Sequence, residues 1–169
     1  MYLIGDIGNT DIKICLFSSN YKLIKKIKFS TSLLNFTFLN RKLKFLKRYK
    51  KNINKILFSS VVPNAFLIIK SVLKKIIKKP CLELKGCKLN NLVKIKVNQK
   101  QIGSDRLANA ISSIDNINNF IIIDFGTATN FDIVVKNQYI GGILAPGVLL
   151  SLKTLSRKAS LIPDIKLDK

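Results

Sequence analysis

One pattern occurs twice in this chain and constrains its fold more than any other. LIGDIGNTDIKICLF (3–17) and IIIDFGTATNFDIVV (121–135) each run an apolar strand into an aspartate, one spacer and a glycine. Each then passes through small hydroxyl or amide residues and returns as a second apolar strand. The Asp-x-Gly spacing is the same in both. Such a repeat implies two related halves, each presenting the turn of a β-hairpin.

The chemistry available to these turns follows from residue type. Glycine lets a backbone approach a ligand closely and is expected to leave its N–H exposed to it. Asn9, Thr10 and Thr127 add donors at the same height. Asp6 and Asp124 cannot bind phosphate themselves, but a carboxylate at a strand end holds a cation that neutralises phosphate. Lys13, three residues past Thr10, brings a positive charge within reach of a terminal phosphate. Asp, Gly, Asn and Thr are also ordinary turn residues, so it is the duplication that favours a nucleotide clamp. A third cluster, Gly103-Ser104-Asp105-Arg106, precedes a helical pattern. Two readings stand side by side there. Ser104 or Asp105 is a helix cap, or Asp105 is a general base beside Arg106, a cation for an anionic substrate.

The remaining pattern places these motifs. Three strands are expected early, the first ending near Asp6, the second over Ile12–Phe17 and the third over Leu23–Phe29. Residues 33–51 read as one helix with Leu39, Leu43, Leu46 and Tyr49 on a stripe, and 55–62 as a buried strand. Pro63 opens a helix over 64–78, and residues 80–100 are weakly patterned. Apolar spacing predicts a helix over 105–117, a strand over 120–124, a hairpin of 131–136 with 139–144, and a last helix from Pro146-Gly147 to about Lys158. The tail 159–169 shows no clear element. Strands alternating with helices make the class α/β, in two domains over 1–100 and 101–169.

Composition excludes several alternatives. With 47% hydrophobic residues the chain can bury a core. Its longest uncharged run, Asn137 to Leu152, is interrupted by Gly141-Gly142 and Pro146-Gly147 and is too short to span a bilayer. The N-terminus lacks the basic segment of a signal peptide and reads as a strand, so a cytoplasmic location is expected. Cys15, Cys81 and Cys87, without a single histidine, fit neither a disulfide framework nor a zinc site and read as inert free thiols. The net charge of +21 is lopsided, because residues 1–100 carry 23 basic side chains against 3 acidic and residues 101–169 carry 7 against 6. The basic runs RKLKFLKRYKK (41–51) and LKKIIKK (73–79) fit solvated helix faces in a chain biased toward Lys, Ile and Asn. This accounts for the charge better than nucleic-acid binding, for which no recognised motif is present.

With these residues in view, the sequence resembles the type III pantothenate kinases. DIGNTDIK (6–13), SSVVP (59–63), GSDRLANA (103–110), DFGTATNFD (124–132) and GGILAPG (141–147) match that family's successive motifs in order, across residues 3 to about 163. The resemblance implies a ribonuclease H-like, actin-like fold of duplicated domains with mixed sheets flanked by helices. It implies transfer of the ATP γ-phosphate to pantothenate, giving 4′-phosphopantothenate in the first step of coenzyme A biosynthesis. Mg²⁺, a monovalent cation (K⁺ or NH₄⁺) and a homodimer come with it. Carried over residue by residue, Asp6, Ile7, Gly8, Asn9, Thr10, Asp11, Ile12 and Lys13 form the first phosphate loop, with Asp6 near Mg²⁺, directly or through water. Gly103, Ser104, Asp105 and Arg106 bind pantothenate, with Asp105 as catalytic base and Arg106 on the carboxylate. Asp124 takes the monovalent cation and Thr127 the ATP phosphates. Asn130 stands where the family usually has a second threonine, and Lys96 or Val97 where a tyrosine is common. Family members run on past the matched region, so the second domain is expected to be incomplete. A relative that had lost catalysis and served as a binding or regulatory protein, conceivably on nucleic acid, is the alternative that the resemblance leaves open.

Overall fold

The computed structural model describes residues 1–159 and 162–163. Most of the tail considered above therefore lies outside the described residues. The chain forms two units. The first comprises Met1–Lys88 with Gly103–Ala108, and the second Leu89–Ile102 with Asn109–Lys169. The sequence-based division after residue 100 falls inside the segment that crosses over, because the helix opened by Gly103 begins in the first unit and ends in the second.

In the first unit, β1 (Tyr2–Ile7), β2 (Asp11–Phe17) and β3 (Leu23–Ser30) form an antiparallel meander. β4 (Lys55–Ser60) lies parallel to β1 on its other side, and β5 (Leu82–Glu83) follows, giving the order β3-β2-β1-β4-β5. The alternation of LIGDI and IKICL sends Leu3, Ile7, Ile12, Ile14 and Leu16 into the core. Gly5 is required by packing. A Cβ there would stand 1.9 Å from the ring of buried Phe58 on β4.

Residues 33–51 are not the single helix that their stripe predicts. A 3₁₀ turn at Thr31–Leu33 leads to α1 (Phe36–Lys42), capped by the Asn35 side chain, and then to α2 (Leu46–Tyr49). Between them Lys44 and Leu46 donate to the carbonyls of Arg41 and Leu43, three residues back, so the chain tightens out of α geometry. The tightening keeps Leu39, Leu43 and Leu46 all fully buried. α3 (Pro63–Ile77) begins at its proline and stops at Lys78, which takes the left-handed conformation at φ 61°. Its face of Ala65, Ile69, Val72, Leu73, Ile76 and Ile77 is buried in the same core. Part of the basic excess is used locally, since Lys25 lies 4.4 Å over the Phe45 ring and Lys75 4.5 Å over Phe36.

The second unit repeats the opening. β7 (Asn119–Phe125), β8 (Ala128–Val135) and β9 (Gln138–Pro146) form an antiparallel meander, with short β6 (Lys94–Ile95) parallel to β9. The order is β6-β9-β8-β7, so β7 is an edge strand where its counterpart β1 is internal. α5 (Val148–Lys158) follows β9, as helices follow β3 in the first unit. α4 (Ser104–Ser113) ends four residues before its predicted limit. Asp115 accepts the N–H groups of Ile117 and Asn118 at 2.9 and 2.8 Å, and Asn116 sits at φ 65°, so an Asx turn displaces the last helical turn. The Asn118 and Ile117 N–H groups also hold the Asp115 carboxyl below its ordinary range.

One face of this sheet is buried through Asn130, Asp132, Val134 and Tyr139, with the Tyr139 hydroxyl donating to Asp132 at 2.6 Å. The other is bare. Ile121 on β7 pairs with Ile133 on β8, and Ile123 lies level with Phe131 and Ile143. Ile121, Phe125 and Ile143 are 71%, 70% and 68% exposed.

Candidate active-site loops

Each repeated hairpin forms a turn at the expected place, but the glycines act differently from the sequence expectation. Gly8 N–H donates to the Asp11 carbonyl at 3.0 Å, and Gly126 N–H to the Ala128 carbonyl at 3.0 Å. Both amides therefore close their own hairpins rather than pointing at a ligand. Neither glycine has a positive φ. The loops also differ in length. Asp6 pairs with Lys13 across the first hairpin, whereas Asp124 pairs with Asn130, one residue sooner, across the second.

In the first loop, Lys13 Nζ stands 3.7 Å from Asp6 Oδ2, and both side chains are about half exposed. Lys13 and Asp6, expected from the sequence to face phosphate and metal, are paired with each other. Asp11 pairs with Lys28 on β3 at 2.9 Å, and Asn9 and Thr10 are exposed at the tip. Ile7 and Ile12 are fully buried core side chains, so their backbone alone faces the loop. Sequence reasoning missed what braces this turn. Thr31 Oγ1 donates to the Gly8 carbonyl at 2.7 Å, Thr31 N–H to the Thr10 carbonyl at 2.8 Å, and Ser30 Oγ to that same carbonyl at 3.3 Å. The hydroxyl run Ser30-Thr31-Ser32 at the end of β3 was the available signal.

The GSDR cluster starts α4 in the first unit. Asp105 Oδ1 accepts the N–H of Arg106 at 2.8 Å. A Cβ on Gly103 would lie 2.3 Å from that same oxygen and 3.4 Å from Val61, so glycine leaves the space the carboxylate occupies. Ser104 is buried and its hydroxyl is hydrogen-bonded to Glu83 Oε1, anchoring the helix start to β5. Glu83 is the single glutamate in the chain, and its isolation among lysines was a signal that sequence reasoning left unused.

In the second loop, Asn109 of α4 donates through Nδ2 to Asp124 Oδ2 at 3.1 Å. Gly147 N–H donates to the Thr127 carbonyl at 3.1 Å. A Cβ on Gly147 would fall 2.4 Å from the Gly126 carbonyl oxygen and 2.5 Å from that of Thr127. The GGILAPG segment thus rests directly on the turn and fixes its backbone. Asn109 and Gly147 were quoted within motifs but given no role by the sequence. An open hollow of about 260 Å³ elsewhere in this unit is lined by residues including Asn90, Lys94, Lys96 and Val97, and by none of the predicted loop residues.

The donor chemistry fits hard cations. Asp124 offers a carboxylate held by the Asn109 amide, and Asp6 a carboxylate that could share Mg²⁺ with phosphates and water. Among the described residues no group of three or more His, Cys, Asp or Glu gathers, so neither site is a closed protein cage. All three cysteines are free, Cys81 buried and the other two half-buried. No described helix is long and apolar enough to cross a membrane.

Duplicated three-stranded meanders, each led by an Asp-x-Gly turn and followed by helix, define the actin-like, sugar-kinase class of fold. Two solved structures share it. One, described as a Baf family transcriptional activator from Campylobacter jejuni, has a TM-score of 0.51 at 18% identity, over 99% of this chain and 68% of its own. Another, described as a 2-dehydro-3-deoxygalactonokinase from Sinorhizobium meliloti, has a TM-score of 0.53 at 8% identity, over 94% and 58%. The family model for type III pantothenate kinase matches residues 2–169. A type III pantothenate kinase of Pelagibacter ubique (strain HTCC1062) is 57% identical over 100% of this chain and 68% of its own length. One from Sulfurihydrogenibium sp. (strain YO3AOP1) is 38% identical over 100% and 69%. The chain belongs to the type III pantothenate kinase family and spans about two thirds of the length of these relatives.

Proposed function

We propose that this chain carries the ATP-dependent phosphorylation of pantothenate to 4′-phosphopantothenate, acting in the cytoplasm as a homodimer with Mg²⁺ and a monovalent cation. The observation that carries the reading is the family match over residues 2–169, in which the motif carboxylates stand at formed strand ends and a formed helix start.

Phosphoryl transfer asks a protein mainly for positioning and charge neutralisation. Asp105 accepts the proton of the attacking hydroxyl. Its Oδ1 is occupied by the Arg106 amide, which leaves Oδ2 for that task. Arg106 meets the substrate carboxylate, with Gly103 and Ser104 shaping the approach. Lys13 would exchange Asp6 for a phosphate oxygen when nucleotide binds, and Asp6 would then hold Mg²⁺, directly or through water, with Gly8 to Ile12 lining the phosphates through the turn. Thr127 would donate to a phosphate, and Asp124 would hold the monovalent cation through the oxygen that Asn109 leaves open. The cations supply charge compensation to the phosphates when bound. The reading includes neither a membrane nor a nucleic acid.

Purified protein given ATP, Mg²⁺, K⁺ and pantothenate is expected to yield 4′-phosphopantothenate, detected by mass. Asp105→Asn should lower kcat by about 10² to 10⁴. Folded protein that makes no product, or an Asp105→Asn variant as active as the parent, would overturn the assignment.

A further inference from the structure

One buried side-chain oxygen beside the second loop has no partner among the described residues. Asn130, on β8, is 8% exposed, and its Oδ1 is buried without a hydrogen bond. Buried acceptors are nearly always satisfied, so an oxygen of this kind calls for an ion or a water.

The register of the hairpin says what lies beside it. Asn130 is the direct partner of Asp124 across β7 and β8, so the two side chains leave the same face of the sheet. Residues opposed in this way have Cβ atoms about 4.5–5.5 Å apart, a spacing at which a carboxylate and an amide oxygen can share one bound ion. Asp124 already has one oxygen engaged, because Oδ2 accepts from Asn109 Nδ2 at 3.1 Å. Asp132, two residues along the same face, has its Oδ1 engaged by the Tyr139 hydroxyl at 2.6 Å. Asn130 is also particular to this chain, standing where the family usually has threonine.

The charge of this group selects among ions. Asp124 brings one negative charge, and Asn109 and Asn130 bring none. Among the described residues no three His, Cys, Asp or Glu side chains gather. Affinity for divalent ions is set largely by the number of charged ligands, so a carboxylate with a neutral amide matches a singly charged ion and undercompensates a doubly charged one.

We infer that Asn130 supplies a second protein oxygen, its Oδ1, to the monovalent cation at Asp124, and that its neutrality restricts the site to singly charged ions. The role of Asn130 rests on the cation reading of Asp124 given above and adds a ligand to it.

The test follows the ion rather than turnover. Residues 1–169, without nucleotide, are titrated with KCl against choline chloride at constant ionic strength. Two readouts are followed, the melting temperature and the Asn130 side-chain amide signal in ¹⁵N NMR, which is identified by its loss in Asn130→Leu. K⁺ is expected to raise the melting temperature and move that signal with one common midpoint. Asn130→Leu, close in size, should raise the K⁺ midpoint at least tenfold. Asn130→Asp, which adds a charge with little change of shape, should bind Ca²⁺ at least tenfold tighter than the parent. Circular dichroism in choline chloride checks the fold of both variants, and should the leucine variant not fold, Asn130→Asp and the parent's amide signal decide. A leucine variant with the parent's K⁺ midpoint, an amide signal that K⁺ leaves unmoved, or an Asn130→Asp variant indifferent to Ca²⁺ would overturn the inference and leave the buried oxygen to a water. If Asp124→Asn still abolishes the K⁺ response in that case, the cation reading of Asp124 stands and the role of Asn130 alone falls. A parent protein without any K⁺ response removes both.

Discussion

Gly103 and Gly5 each exist for the sake of one neighbouring side chain. At Gly103 a methyl group would occupy the position of Asp105 Oδ1, so Gly103→Ala must turn the carboxylate away. Small misplacements of a reacting group cost rate steeply, and kcat is expected to fall about 100-fold with pantothenate KM little altered. Steady-state kinetics on a variant with unchanged melting temperature would check this. Gly5→Ala acts on stability instead. Its methyl group enters the Phe58 ring, and overpacking of this kind costs about 1–3 kcal/mol, measurable by urea unfolding and relieved in combination with Phe58→Leu. Cys81 offers a pH prediction. Burial pushes its thiol from an ordinary 9.0 up to about 12, only partly opposed by Lys70. Folding keeps the proton that the unfolded thiol loses, so this contribution is fully present below pH 9.0 and disappears as pH rises toward 12. Alkylation at pH 8 should accordingly label Cys87 well before Cys81, as peptide mass mapping would reveal.

At the scale of elements, the bracing of the turns matters more than their glycines. Gly147 touches the carbonyls of Gly126 and Thr127, and Gly147→Ala should lift the second turn from its seat. The expected outcome is an ATP KM raised about tenfold, equivalent to ~1.4 kcal/mol, with pantothenate KM unchanged. Strands and their turns were legible in the sequence because alternation and Asp-x-Gly are local signals. β1 to β4 and the hairpin β8–β9 lie where the pattern puts them. The break between α1 and α2 was not legible, since Leu39, Leu43 and Leu46 read equally well as a continuous stripe and only packing against the sheet tightens the chain there. Nor was the end of α4, where Asp115 prefers backbone N–H groups that a longer helix would have used. Of the loop residues, the carboxylates announced themselves by their rarity. Their supports, Thr31, Glu83, Asn109 and Gly147, are recognisable only once distant segments meet.

At the scale of the whole molecule, the sequence divided the chain once, near residue 100, but the chain changes units three times. It leaves the first after Lys88, enters the second through Leu89–Ile102, returns for Gly103–Ala108 and departs again along α4. No periodicity records such an exchange, because the residues that return do so to bury Leu107 and Ser104, with Ser104 bonded to Glu83. The exchange has a consequence for the order of events during synthesis. A nascent chain that has emerged only to Lys88 has every strand of its first sheet, yet the glutamate on β5 still awaits the serine it will bond. That unit can be finished only after the loop 89–102 has also emerged, so part of the second unit is in the open before the first is sealed. A fragment ending at Lys88 should therefore unfold at a lower temperature than one ending at Ala108, and growing chains arrested between those lengths should be the ones most exposed to proteases and chaperones.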